Sequence, residues 1–449
     1  MLRYEKYISA PATWIGVMPA HWDVKKIGSL FTERKTKVSD KDFAPLSVAK
    51  IGVVPQLETA VKTDAGDNRK LVRAGDFVIN SRSDRKGSCG VSPLEGSVSL
   101  INIVLTPRDA WNNRYVHYLM RCHVFSEEYY RYGRGIVADL WTTRFSEMKN
   151  ILLPIPPRAE QDQIVWFLDW KVSEINRLIA SKRKQISMIQ EYRTTMFNNA
   201  VTQGVRISRL KPSGMNWLPQ IPANWETIPA KALFDHVVEL RHEQDEMLAA
   251  TQKYGMIAQK EYMALEGRRI VLANDNLDKW LHVEPDDFII SLRSFQGGLE
   301  VCTMPGCVTW HYVVLRPKEN VYVPYFKWLF KSASYIGALQ RTSDFIRDGQ
   351  DLRFSNFIKV RLLLVPFDEQ REIAEYLEKK IPLFDVAEKK ISDEIVALQE
   401  LKARLISDVV TGKIDVRNIA IPEYEAVAEE TEASDEESSE DESPEDQED

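Results

Sequence analysis

A sequence that contains itself twice is constrained to fold as two similar bodies, and this 449-residue chain does so. Trp14-Ile-Gly-Val-Met-Pro19-Ala-His-Trp22-Asp recurs as Trp217-Leu-Pro-Gln-Ile-Pro222-Ala-Asn-Trp225-Glu, and Leu30-Phe31 recurs as Leu233-Phe234, 203 positions on. Asp76-Phe-Val-Ile with Arg82-Ser83 matches Asp287-Phe-Ile-Ile with Arg293-Ser294 at an offset of 211. Val104-Leu105-x-Pro107 matches Val314-Leu315-x-Pro317, and Tyr115 with Leu119 matches Tyr325 with Leu329. Arg144-Phe-Ser, Glu160-Gln161 and Val201-Thr202 return as Arg353-Phe-Ser, Glu369-Gln370 and Val410-Thr411 at an offset of 209. One match is chance; all of them in order are a duplication with a period near 210, filling residues 1–422.

Each copy divides in two. The first part, 1–157 or 212–366, mixes short β-branched runs with turns rich in Gly, Asp and Ser, which predicts a mixed α/β (α+β) globular domain. A proline gate, Pro154-Ile-Pro-Pro157 or Pro366, ends it. The second part, 158–211 or 367–422, is predicted to be one long helix. Apolar residues fall at Ile164, Leu168, Val172, Ile175, Ile179, Ile186, Ile189, Met196 and Val201. They recur at Ile373, Leu377, Ile381, Phe384, Ala387, Ile391, Ile395, Leu398, Leu405 and Val409. Steps of three and four put one seam on each helix, and two seams in one chain can bury each other as an antiparallel coiled coil. Two helices packed on their own domains are the alternative. A helix over 161–200 spans about 60 Å.

Charge separates by segment. Residues 423–449 hold 15 acidic residues and no Lys or Arg, which predicts a disordered tail. The net −7 of the chain is therefore a +8 body and a −15 tail. Positive charge concentrates early: residues 1–157 have 23 basic and 16 acidic residues, whereas 212–366 have 17 and 18. That bias favours phosphate contact in the first half, although a solvating surface would also produce it. The tail either solvates the protein or mimics duplex charge and shields the basic half.

Catalytic and metal motifs are not found. No phosphate-binding Gly-rich loop precedes a Lys-Ser/Thr pair, no Asn-Pro-Pro-aromatic motif occurs, and Gly133-Arg-Gly135 reads as a turn. His236 and His242 lie six apart without a third ligand, so no metal is expected. Cys89, Cys122, Cys302 and Cys307 form no Cys-x-x-Cys pair and read as buried, reduced thiols of a cytoplasmic protein. No apolar run reaches the roughly 18 residues of a membrane span, and Met1-Leu-Arg-Tyr-Glu-Lys6 lacks the basic-then-apolar layout of a signal peptide, so a soluble protein is expected.

The Pro-Ala-x-Trp-[Asp/Glu] opening, the Pro-x-x-x-Glu-Gln gate (157–161 and 366–370) and the Ile-Asx-x-Leu-Ile seam (175–179) belong together. With the helix ends Val201-Thr-Gln-Gly204 and Val410-Thr-Gly-Lys-Ile-Asp415, they resemble the specificity subunit of type I restriction–modification systems. The resemblance covers residues 1–422. It implies two target recognition domains, each reading half of a bipartite DNA sequence, and helices that dock two modification subunits. It also implies that this chain is not an enzyme and binds no cofactor. S-adenosylmethionine, ATP and Mg would belong to the modification and restriction subunits. A coiled-coil scaffold without DNA specificity is the competing function. The acidic tail departs from the family pattern.

Base readout needs Arg, Lys, Asn, Gln or Ser in polar loops after apolar strands. The candidates are Asn80, Ser81, Arg82, Ser83, Arg85, Lys86, Arg134 and Arg144 in the first domain. In the second they are Arg293, Ser294, Gln296, Arg347, Gln350 and Arg353. Arg82 and Arg293 could equally tie their loops to a carboxylate, and Arg144 and Arg353 lean towards structural roles. Trp14, Trp22, Trp217 and Trp225 read as core anchors rather than stacking platforms.

Overall fold

A computed structural model describes residues 3–57, 66–82, 86–108, 111–135, 141–266, 276–291, 294–342 and 352–427. The sequence candidates Ser83, Arg85, Arg293, Arg347 and Gln350 lie outside the described residues. The chain forms two compact units. One comprises Met1–Lys184 with Ile391–Asp449, and the other comprises Gln185–Lys390.

Both units are built on one sheet topology. In the first, a four-stranded antiparallel sheet runs in the order Cys89–Val91, Phe77–Asn80, Asn102–Pro107, Phe31–Glu33. In the second, the order is Glu300–Val301, Phe288–Ile290, Val313–Pro317, Phe234–Val237. Even the register repeats: Phe77 faces Leu105 as Phe288 faces Leu315. Alternate side chains point to opposite faces of a strand. Phe77, Ile79, Ile103 and Leu105 therefore join the large core, while Val78 and Val104 join a smaller cluster with Leu46, Val53, Val72 and Val98. The second unit repeats this division, with Phe288 and Ile290 on one side and Ile289 and Val314 on the other. Burial on both faces explains why these strands are apolar throughout instead of alternating.

The two long helices span Arg158–Gln203 and Phe367–Val410. In the first unit Lys402 Nζ donates to Asn176 Oδ1 at 3.3 Å, and Lys182 meets Glu394 at 2.6 Å. In the second unit Gln190 donates to Glu388 at 3.2 Å, Arg193 meets Asp385 at 2.9 Å, and Arg206 meets Glu372 at 2.9 Å. Ascending numbers on one helix face descending numbers on the other, so in each unit the helices pair antiparallel. Of the seam residues, Ile164, Leu168, Ile175, Ile179, Val201, Ile373, Leu377, Ile381, Leu405 and Val409 are buried.

Each unit is closed by the end of the helix that follows the other domain. Leu405, Val409, Val410, Ile414 and Val416 join the core of the first unit, and Ala200 and Val201 join the core of the second. The repeated motifs are the locks. Tyr115 OH donates to Val410 O at 3.2 Å, and Tyr325 OH donates to Val201 O at 2.9 Å. The Trp22 indole donates to Glu160 Oε1 at 3.0 Å, and that of Trp225 to Glu369 Oε2 at 2.7 Å. Gly412, at φ 79°, ends the second long helix so close to Pro19 and Trp22 that a Cβ would lie 2.3 Å from the Pro19 ring. A left-handed residue after a helix is ordinarily Gly, and here contact also forbids a side chain.

Three boundaries differ from the sequence reading, the first being the second long helix, which ends at Val410 and not at 422. The first strand of the second domain begins at Leu210, inside the segment 158–211 assigned to the helix and its linker. Residues 423–427 are not a disordered stretch. Ser173 Oγ donates to Glu425 O at 2.9 Å, Val427 N–H returns to Ser173 Oγ at 2.7 Å, and Asn176 donates to Val427 O at 3.1 Å. All four cysteines are free and buried, and burial pushes the thiols of Cys89, Cys122 and Cys302 up to about 12. The four opening tryptophans do anchor: Trp22 and Trp225 are buried, and Trp14 and Trp217 donate to Leu152 O and Arg361 O. Among the described residues, no helix is long and apolar enough to cross a membrane.

Candidate nucleic-acid interface

The first unit gathers several predicted residues around one strand end. Strand Phe77–Asn80 leads into Ser81 and Arg82, and Thr142 bridges to both Arg82 and Arg134. Thr143 N–H donates to Ser81 O at 2.9 Å, and Arg134 N–H donates to Thr142 O at 2.9 Å. Two segments more than fifty positions apart in sequence are thereby pinned side by side. Arg82, Lys86, Arg134 and Arg144 are all exposed there. Lys86 Nζ meets Glu127 at 2.5 Å and lies 5.0 Å from the centre of the Tyr130 ring. Glu147 is held below the usual carboxylate range, first by the Ser146 hydroxyl, with Arg134 adding to it.

Asn80 holds the start of the Arg82 loop from below. It is buried, and its Oδ1 accepts the Arg82 N–H at 3.0 Å, which fixes where the Arg82 side chain leaves the strand end. Ser81 is half-buried and spends its backbone groups on Thr143 and Ile101. Arg144 sits at the start of the short helix Phe145–Met148, as Arg353 does for Phe354–Phe357, and both are exposed.

Ser294 lies inside the turn rather than on the surface. It is 1% exposed and its Oγ accepts the Ser291 N–H at 2.8 Å, so it shapes the turn before the short helix Ser294–Gly297. Gln296 lies within that helix, and its side chain is outside the described ones.

Two aromatic residues were missed. Tyr130 and Trp141 stack with ring centres 5.8 Å apart at 28°, beside Lys86 and Arg82 in a common cleft. Trp141 Nε1 donates to Tyr130 O at 2.9 Å and lies where a Cβ on Gly133 would stand, which accounts for that glycine. The interleaving Tyr129-Tyr-Arg-Tyr-Gly-Arg134 was the available signal, because cations alternating with aromatic faces suit phosphate and base together. The cleft thus brings exposed cations and a stacked aromatic pair together over a hydrogen-bonded backbone.

No family model and no curated protein matches the sequence. Solved structures do. A chain described with the complex assembly and conformational transition of the type I R-M system superposes with a TM-score of 0.62 at 13% identity, over 88% of this chain and 99% of that one. The two chains share a fold. The HsdS subunit from Thermoanaerobacter tengcongensis aligns with a TM-score of 0.48 at 16% identity, over 88% of this chain and 98% of that one. The type I restriction–modification S subunit from M. genitalium gives 0.33 at 15%, over 87% and 96%.

Proposed function

We propose that this protein is the sequence-specificity subunit of a type I restriction–modification complex. Each unit reads one half of a bipartite duplex target, and the long helices dock modification subunits. The observation that carries the reading is a single sheet topology built twice, in a fold shared over nearly the whole chain with one from such a system. Two related but diverged readers in one chain suit two unlike half-sites. The exposed cations and stacked aromatics of the first unit supply the contact chemistry. Adenine methylation, S-adenosylmethionine, ATP and Mg belong on this reading to modification and restriction subunits. Methylome sequencing of a host with and without this protein tests it: a bipartite adenine mark disappears with the protein, and an unchanged methylome overturns the proposal.

Arg82→Ala is expected to weaken specific binding by about 1–3 kcal/mol and to relax one half-site only, with Arg293→Ala doing the same at the other. Methylation specificity unaltered by both would remove these residues from the readout. Ending the chain at Val427 removes 13 acidic residues while sparing the segment held on the first long helix. If the tail shields the basic half, non-specific duplex affinity at low salt rises and the increase vanishes at high salt. Equal affinity at low salt would leave it a solvating tail.

A further inference from the structure

The second unit carries a side-chain cluster that the DNA-reading proposal does not use. His242 and Asp245 close a turn: His242 N–H donates to Asp245 Oδ2 at 2.7 Å, and Asp245 N–H donates to His242 O at 3.2 Å. His282 comes from strand Leu281–Val283, forty residues on. Backbone bonds bring the segments together, from Arg241 N–H to Trp280 O at 2.9 Å and from His282 N–H to Glu239 O at 2.8 Å. The sequence reading set His242 beside His236 without a third ligand; the fold instead groups it with Asp245 and His282, and His236 stacks on Phe354.

The orientation of the rings is the informative part. Both histidines turn Nδ1 towards Asp245, at 2.8 Å for His282 and 3.9 Å for His242. Both turn Nε2 towards another carboxylate: His282 to Glu284 at 3.1 Å, and His242 to Glu239 at 3.3 Å. The ring centres are 4.1 Å apart, and one ligand atom from each of the three residues lies within 4.8 Å of the others. Metal-ligating histidines characteristically give their second nitrogen to a carboxylate, which fixes the ring and raises its basicity. A tetrahedral zinc with bonds of about 2.0–2.2 Å sets its ligand atoms roughly 3.3–3.5 Å apart, inside the span seen here. His282 is 4% exposed, whereas His242 and Asp245 border an open surface groove with Met304 and Pro305.

We propose that the second unit binds one zinc-class divalent ion through Nδ1 of His242, Nδ1 of His282 and a carboxylate oxygen of Asp245. The fourth position opens to the groove. Glu239 and Glu284 are positioning residues that hold the two rings. Two imidazoles and one carboxylate suit zinc better than the oxygen-preferring magnesium or calcium. Cys307 stands outside the ligand set, its thiol facing the Asp245 carbonyl oxygen at 3.9 Å. The ion clamps the His242–Asp245 turn to strand Leu281–Val283. Among the described residues the first unit has no counterpart, and strand registry puts Leu71 at the position of His282.

The test uses the full chain, stripped with a chelator and titrated with zinc chloride against a chromophoric competitor. About one zinc per chain is expected, with a zinc-dependent rise in Tm, and Co2+ in its place should give visible d–d absorption. His242 is exposed, so His242→Ala should fold as the parent does, and it should weaken zinc binding at least 100-fold and abolish the Tm rise. Glu239→Gln, which removes only an outer carboxylate, should weaken binding about 10–100-fold. Zinc uptake by His242→Ala equal to the parent, or no uptake by the parent at tens of micromolar zinc, would overturn the site.

Discussion

A fragment comprising residues 1–203, the contiguous first half of the chain, is expected not to fold stably by itself. Its core lacks Leu405, Val409, Val410, Ile414 and Val416, all at most 9% exposed in the intact protein. Each such side chain contributes about 1.5–3 kcal/mol of burial, so the loss is on the order of 10 kcal/mol. That matches the whole stability of an ordinary domain, about 5–15 kcal/mol. Tyr115 would also lose the Val410 carbonyl and keep only Pro154 O at 3.2 Å. Circular dichroism should show helix without a cooperative unfolding transition, and a separate peptide of residues 391–427 should restore the transition. A 1–203 fragment that unfolds cooperatively with the stability of the intact protein would show that the swapped helix end is dispensable.

This closure was not legible in the sequence, and the reason is physical. Periodicity says which face of a helix is apolar, not which core that face enters. Spacing marked the seam, and an antiparallel pairing was one of two expectations for it; the sense of the pairing and the exchange of helix ends required contacts such as Lys182 with Glu394 and those of Tyr115 and Tyr325. Pro382 is a similar case, because it removes an N–H from the helix interior and yet the helix runs from Phe367 to Val410. The repeated motifs were legible because their residues hold one another: Trp22 with Glu160, Gly412 with Trp22, Tyr115 with Val410. They specify the scaffold. Residues that would read DNA have no such mutual constraint, so pattern alone did not show that Ser294 is buried in its own turn and passed over the stacked Tyr130 and Trp141. Asp76 and Asp287 lie between these cases, since their repetition was visible and their purpose was not.

Removing the partner of either aspartate should cost about 3–5 kcal/mol, because it strands a buried charge. Asp76 is 2% exposed and accepts from Arg34 Nε at 2.8 Å and Nη2 at 3.0 Å, from the Thr106 hydroxyl at 2.8 Å and from the Arg73 N–H at 2.9 Å. Asp287 is 1% exposed and accepts from Arg316 at 3.0 and 2.8 Å and from the Glu284 N–H at 2.9 Å. The anion keeps its place in both copies while the cation changes strand. Arg34 follows the edge strand Phe31–Glu33, whereas Arg316 stands on the central strand where the first copy has Thr106. The second unit thus already demonstrates the alternative geometry. Arg34→Thr should lower the denaturant midpoint of the first unit sharply, and adding Thr106→Arg should recover most of the loss. A double variant no more stable than Arg34→Thr would mean that the two copies have diverged too far in packing to exchange the pair.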